Sequence, residues 1–385
     1  MKTRVVVMGA GESGIGAAIL AKKEGYEVFV TDEHAIAEKY KVELEANQVS
    51  FEENGISDEK LLKATLVIKS PGIPEKNKWV KKLRARGIEI ISEIEFAFRY
   101  KGSSKIAAIT GSNGKTTTTA LLYHICKTAG LSCAMVGNIG YSFARQVAID
   151  PKEWYVVEIS SFQLDDIKIF RPEIAMITNI TEDHLDRYEY KFENYINSKF
   201  RITENQREED VLIYNDDDEI IKEHLNKNIK KAHLLPISMN KKLPEGAYIS
   251  NAEMHIKWRT EEMNMSVEDF AVKGKHNQYN TMAASLGATV MGIRKEKIRS
   301  AVQTFESLEH RMSTVGTIRG VTFINDSKAT NVNSTWYALE SMTQPVILIL
   351  GGVDKGNDYS LIKDMVKEKV KAIVCLGVDN LKIHE

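Results

Sequence analysis

Short apolar runs alternate with stretches of helical periodicity along most of the chain. Residues 5–8, 27–31, 66–69 and 88–91 are rich in Val, Ile, Leu and Phe with little polar interruption. Continuous rather than alternating hydrophobicity is expected of parallel strands covered by helices on both faces. Amphipathic segments over 15–25 and 75–86 supply the covering helices. The same pattern restarts at Lys105, with strands expected over 106–109, 132–136, 154–159 and 174–179. Residues 247–272 differ: Tyr248, Ile249, His255, Ile256, Trp258, Met263 and Met265 alternate with polar residues, which predicts an antiparallel meander at the edge of this second unit. Helices follow over 276–291 and 295–305. A third α/β unit begins near Ser307, with strands over 312–318, 321–324, 346–350 and 372–376 and helices after Asn331 and Tyr359. The boundary between the first two units falls in a linker at 101–104 or slightly earlier, at 92–95.

A chain of 385 residues is too long for one core and fits two or three domains. A net charge of −1 gives no field to draw it to nucleic acid or an anionic membrane. Gly9, Gly11 and Glu12 cut off the first apolar run too early for a signal peptide, and no segment is long enough for a membrane span. The three cysteines form no CxxC pair and suit a reducing compartment. A cytoplasmic monomer is expected.

The candidate chemistry lies at strand ends. Residues 110–119 read Thr-Gly-Ser-Asn-Gly-Lys-Thr-Thr-Thr-Thr, directly after an apolar run. A glycine turn there would lead into a helix whose positive end suits phosphate, with Lys115 as a point charge and a threonine hydroxyl for Mg²⁺. The loop lacks the extra glycine of the common P-loop pattern, because Ile109 stands there. Gly9-Ala10-Gly11-Glu12-Ser13-Gly14 matches GxGxxG, and Asp32 ends the next strand. Alone this suits NAD or FAD, or merely close helix–strand packing, and it leaves an NAD-dependent oxidoreductase open. Glu158 is a charge inside an apolar run one strand from the phosphate loop, where phosphoryl-transfer enzymes hold Mg²⁺. His184, in Thr181-Glu182-Asp183-His184, emerges at the same sheet edge; it is a metal or phosphate ligand or a structural histidine. Lys199 lies on an apolar stripe with Phe192, Tyr195, Ile196 and Ile202. An inward lysine either snorkels or is held neutral, and a neutral amine can add CO₂ to become an anionic carbamate ligand. Residues 325–331, Asn-Asp-Ser-Lys-Ala-Thr-Asn, gather charges and hydroxyls at a further strand end, fit for a zwitterionic anion or simply capping a helix.

Taken together, Thr110–Thr117, Gly137-Asn138-Ile139-Gly140, Glu158–Leu164, Asn179–Arg187, Lys199 with Arg201, His276-Asn277 with Asn280, and His310-Arg311 resemble the Mur ligase family of bacterial cell-wall synthesis over essentially the whole chain. Asp326–Asn331 resembles the members that add D-glutamate. The resemblance implies an α/β protein of three domains. Residues 1–94 would form a Rossmann-like UDP-substrate-binding domain, 95–307 a central P-loop-type ATPase domain with a parallel sheet and small antiparallel meander, and 308–385 a Rossmann-like amino-acid-binding domain. Family members run further, so this third domain is expected to be truncated. The resemblance assigns Glu12, Ser13, Asp32, Ser70, Asn138 and Gln163 to the UDP-substrate. It assigns Gly111, Ser112, Asn113, Gly114, Lys115, Thr116, Thr117, Asn277, Asn280 and Arg311 to ATP. Lys328, Thr330 and Lys355, with help from Asp354, would meet D-glutamate. Thr117, Glu158, His184 and carbamylated Lys199 would hold Mg²⁺, making Lys115, Glu158, His184 and Lys199 the catalytic set. The implied reaction joins D-glutamate to UDP-N-acetylmuramoyl-L-alanine at the expense of ATP. Another Mur-type or folylpolyglutamate-type ligase, or an inactive truncated nucleotide-binding form, remains open.

Overall fold

The computed structural model describes residues 3–228, 230–306, 313–352, 357–377 and 380–384. Strands β1 (Arg4–Met8), β2 (Glu27–Thr31), β3 (Ser50–Glu52), β4 (Leu66–Lys69) and β5 (Glu89–Ser92) form an all-parallel sheet in the order β3-β2-β1-β4-β5. Its central strands are buried on both faces, which explains their unbroken apolar runs. Gly14 lets the helix Glu12–Lys23 approach the glycine turn, since a Cβ there would lie 1.9 Å from the Gly9 carbonyl oxygen.

The second sheet has nine strands. β6 (Lys105–Thr110), β7 (Cys133–Gly137), β8 (Trp154–Glu158), β9 (Ile174–Ile177), β10 (Val211–Asn215), β11 (His233–Ser238), β12 (Gly246–Ser250), β13 (Glu253–Trp258) and β14 (Glu261–Ser266) run in the order β14-β13-β12-β11-β10-β9-β6-β8-β7. Pairing is parallel from β7 to β12, and β12 to β14 form the antiparallel edge that the alternating pattern anticipates. The helix Lys115–Thr128 packs on one face with Lys275–Val290 and Lys295–Thr304, through a core that includes Leu121, Ile125, Met282 and Leu286. The third region contains two ribbons: antiparallel β15 (Ser313–Ile318) with β16 (Val321–Asn325), and parallel β17 (Val346–Gly351) with β18 (Val370–Leu376).

The helix Glu93–Tyr100 runs through the expected junction of the first two units and welds them together. The fully buried Glu95 carboxylate accepts the N–H groups of Lys168, Ile169 and Phe170 at 2.9, 3.0 and 2.9 Å, and Arg99 Nε at 3.0 Å. Four donors offset the desolvation of one buried charge. Arg145 pairs with Glu12 at 2.7 Å and with Glu43, while Asp166 takes Lys69 at 3.0 Å and Arg84 at 2.7 Å. The apolar core is continuous across this junction.

Glu93 is less well served. One oxygen accepts the Ala144 N–H and the other is buried without a partner. Burial, reinforced by the nearby Glu12 charge, pushes its pKa up to about 8. A carboxyl whose folded pKa lies above its unfolded value makes its full contribution to stability below about pH 4.5. That contribution falls as pH rises and is gone once pH passes about 8. Glu93→Gln, which mimics the protonated form, is expected to stabilise the fold by about 1–3 kcal/mol at pH 8 and by nearly nothing at pH 5. Denaturant titrations at the two pH values check this, and an equal effect at both would refute it.

Candidate active site

The C-terminal edge of the nine-stranded sheet is where open parallel sheets bind ligands. The loop after β6 enters the helix Lys115–Thr128 there. Gly114 caps that helix with φ +83°, and a Cβ on it would lie 2.3 Å from Asn280 Oδ1. Glycine is therefore required for both conformation and space. The strand end after β9 fixes the loop. Ser112 N donates to the Asn179 carbonyl at 2.8 Å, Asn113 N to Asn179 Oδ1 at 3.0 Å, and Thr178 Oγ1 to the Asn113 carbonyl at 2.6 Å. The backbone amides of Ser112 and Asn113 are thus committed to bracing. An anion would instead meet the first turn of the helix, whose N–H groups have no intrahelical acceptor, and Lys115.

Lys115 Nζ donates to the carbonyls of Gly111 and Ser112, both at 2.8 Å. Lys199, on the helix Phe192–Phe200, donates to the same Gly111 oxygen at 2.7 Å and lies 4.6 Å from the Tyr195 ring centroid. It is only 2% exposed, and among the described residues it forms no ion pair. Burial, then the charge on Lys115, depresses its pKa well below the ordinary lysine value, against the pull of Asp183, Asp165 and Glu158. The apolar-stripe position thus yields an inward amine rather than a snorkelling one.

Glu158 ends β8 and is 2% exposed. Its Oε1 accepts Asn138 Nδ2 at 2.7 Å, and its Oε2 is buried with no hydrogen-bond partner. An orphaned carboxylate oxygen at a phosphate loop is the donor that a hard divalent cation would take. Among the described residues no three His, Cys, Asp or Glu side chains cluster closely enough to hold a metal by themselves. Mg²⁺ binds few protein groups and keeps waters and phosphate oxygens, so a lone carboxylate oxygen is a ligand it would accept. His184 has a left-handed backbone at φ +53°, its ring 5.0 Å from Phe162 and its Nε2 3.7 Å from Asp183.

These groups share one cleft of about 400 Å³, lined also by Thr116, Thr117, Asn277 and Asn280 and, from the third region, by Lys328 and Thr330. Asn280 also braces the loop helix, accepting from Thr118 Oγ1 at 3.2 Å. Gln163 is not in the lining: it is 2% exposed and closes a capping box with Ser160. Its assignment to substrate gains no support from this position. Arg311, Asp354 and Lys355 lie outside the described residues. A second cleft, of about 510 Å³, opens at the first sheet and is lined by Glu12, Ser13, Asp32 and Ser70. Asp32 accepts the N–H groups of Ala10 at 2.7 Å and His34 at 2.9 Å, so it shapes the glycine turn directly. Arg187 closes the Asn179–Arg187 motif but carries no assigned role; its guanidinium lies 4.2 Å from the Phe162 ring centroid and donates to Pro71 and Gly72, spanning the two clefts.

A parallel sheet with a glycine loop and lysine at its C-terminal edge is the architecture with which α/β proteins bind phosphate. The chain belongs to the Mur ligase family. It matches the Mur ligase MurD-like N-terminal domain over residues 3–92, the Mur ligase middle domain over 109–288, and the Mur ligase glutamate ligase domain over 310–384. It is 53% identical to the UDP-N-acetylmuramoylalanine--D-glutamate ligase of Bacteroides fragilis over 384 residues, covering 99% of this chain and 86% of that one. Identity to the enzyme of the same name from Salinibacter ruber is 39% over 392 residues, covering 100% of this chain and 85% of that one. Among solved structures, UDP-N-acetylmuramate-alanine ligase from Thermotoga maritima superposes with a TM-score of 0.59 at 18% identity, over 98% of this chain and 91% of that one. A MurF structure from Acinetobacter baumannii gives 0.62 at 15%, over 97% and 80%. These two likenesses concern the fold alone. Among the described residues no helix is long and apolar enough to cross a membrane.

Proposed function

We propose that the chain is an ATP-dependent ligase that joins D-glutamate to the L-alanine carboxylate of UDP-N-acetylmuramoyl-L-alanine in peptidoglycan precursor synthesis. The observation that carries this is the shared cleft, in which Lys115, Glu158 and Lys199 meet Lys328 and Thr330 of the glutamate-ligase region. The relatives' high identity selects D-glutamate over other amino acids.

In this reading the glycine turn with Ser13, Asp32 and Ser70 receives the UDP end, and Asn138 lies toward the muramoyl end. Lys115 and the helix N-terminus hold the β- and γ-phosphates of ATP. The alanine carboxylate attacks the γ-phosphorus, releasing ADP and giving an acyl phosphate. The amine of D-glutamate, held by Lys328 and Thr330, then attacks the acyl carbon, and phosphate leaves. Mg²⁺ would be held by Glu158 and Thr117, with a second ion at His184 and carbamylated Lys199, and would supply charge neutralisation for the transferred phosphoryl group. Closure of the third region excludes the water that would hydrolyse the acyl phosphate.

Phosphate release with ATP, Mg²⁺ and UDP-N-acetylmuramoyl-L-alanine, across a panel of amino acids, tests the proposal. D-Glutamate is expected to be selected by about 100-fold or more over L-alanine, which has no side-chain carboxylate to meet Lys328, and over L-glutamate, whose opposite configuration turns that carboxylate away when the amine is at the acyl carbon. Preference for another amino acid would overturn it.

A further inference from the structure

The third region reaches the phosphate loop at the Asn113 side chain. Its Oδ1 accepts Ser334 Oγ at 2.7 Å and Asn331 Nδ2 at 3.0 Å. Both donors belong to the start of the helix Val332–Ser341, and Asn331 also reaches Asp183 Oδ2 at 3.2 Å. The orientation of each amide follows from the network. Asn331 Oδ1 accepts the Ser334 N–H at 2.9 Å as the helix cap, so the Asn331 atom facing Asn113 is the NH₂ group. The Asn113 atom it meets must then be the oxygen. That leaves Asn113 Nδ2 on the other side, buried and without a hydrogen-bond partner. Asn113 lines the cleft beside Gly114 and Lys115, and a buried amide donor without an acceptor calls for one.

We propose that Asn113 couples nucleotide occupancy to docking of the third region: its Nδ2 donates to an oxygen of the bound polyphosphate, and its Oδ1, thereby fixed, is the anchor on which Asn331 and Ser334 close. The inference rests on the phosphate-loop reading above and deepens it. An unoccupied loop leaves the Asn113 amide free to rotate about its last torsion, presenting NH₂ instead of oxygen to the Asn331 donor. A phosphate oxygen removes that freedom, so the loaded loop presents the acceptor that docking needs. The third region then closes when a phosphoryl donor is in place, before an acyl phosphate can form exposed to water.

The test measures docking in the full chain. Spin labels on Cys375, which is half-buried in the third region, and on an introduced Lys227→Cys report the distance between the two regions with and without Mg²⁺ and a non-hydrolysable ATP analogue. Cys126 and Cys133 are buried and do not compete for label. The analogue is expected to raise the docked-to-undocked ratio. Ser334→Ala keeps the backbone N–H that the helix cap needs and is expected to lower that ratio about tenfold. By linkage the same variant weakens analogue binding by at most the same factor. Asn113→Ala is expected to abolish the nucleotide dependence, and Ser334→Ala added to it is expected to cost nothing further. Docking in the parent chain that ignores the analogue, or additive effects of the two substitutions, would overturn the proposal. Failure of the parent chain to bind the analogue, seen by calorimetry before labelling, would instead overturn the phosphate-loop reading.

Discussion

Lys199→Ala is expected to lower kcat by on the order of 1,000-fold while leaving the fold intact, and formate, acetate or propionate are expected to restore part of the loss. The amine is buried, shares the Gly111 carbonyl with Lys115 and has its pKa depressed by both circumstances. A lowered pKa enlarges the neutral, nucleophilic fraction of a lysine amine, and a carbamate formed from it with CO₂ would be an anion on a four-carbon stem. That anion would face the Lys115 ammonium, turning a repulsive pair into an attractive one. Removal of the stem leaves a cavity that a small carboxylic acid can enter as a substitute anion, whereas a small amine would restore only the bond to Gly111. Rescue by acids and not by methylamine therefore separates an anionic role from a structural one. The sign of the pH effect follows as well. Protonation of the amine as pH falls removes the nucleophile, so activity restored by added bicarbonate is expected to decline on the acid side. A Lys199→Ala variant with unchanged turnover, or one rescued only by amines, would remove the carbamate from the mechanism. Thermal unfolding of the same variant keeps a folding defect from being mistaken for a chemical one.

The strands of the site were legible because parallel strands buried on both faces write continuous apolar runs: β2 and β4 fall where the pattern places them. Strands that violate that pattern were not legible, and β10 was missed although it keeps the pattern. β3 is three half-exposed residues, Ser50–Glu52, at a sheet edge, and β11 carries Pro236 with His233 and Leu234 exposed, features that argue against a strand in isolation. The glycine loop and Lys115 declared themselves through local spacing, because a loop that binds phosphate is built from neighbours in sequence. Lys199 and Glu158 were visible as charges in apolar settings, yet nothing in their neighbourhoods fixed what they touch. Glu95 shows why: its acceptors' partners, Lys168, Ile169 and Phe170, are more than 70 positions away. The contacts of Asn331 and Ser334 with Asn113 span 218 and 221 positions, beyond any periodicity. Gln163 marks the opposite case, a polar residue in a distinctive motif whose side chain closes a helix cap.

Glu158→Gln is expected to separate activity from stability in opposite directions. In the free protein Glu158 is a buried carboxylate with a single donor, Asn138 Nδ2, on Oε1 and nothing on Oε2. Burial of a charge so poorly compensated costs free energy, and an isosteric amide relieves it. Glutamine can still accept from Asn138 through its own oxygen, so the metal-free variant is expected to be about 1 kcal/mol more stable than the parent. The same substitution removes the anionic oxygen that would hold Mg²⁺. Turnover is then expected to fall by roughly 100- to 1,000-fold, with nucleotide binding changing far less in the absence of metal. Two measurements check the pair: denaturant unfolding in a chelator, and phosphate release as a function of Mg²⁺ concentration. A structural glutamate, bonded to Asn138 only to hold the strand end in place, predicts the reverse, with stability lost and activity following it down. A Glu158→Gln protein that is less stable than the parent and retains its Mg²⁺ dependence would therefore take this carboxylate out of the metal site.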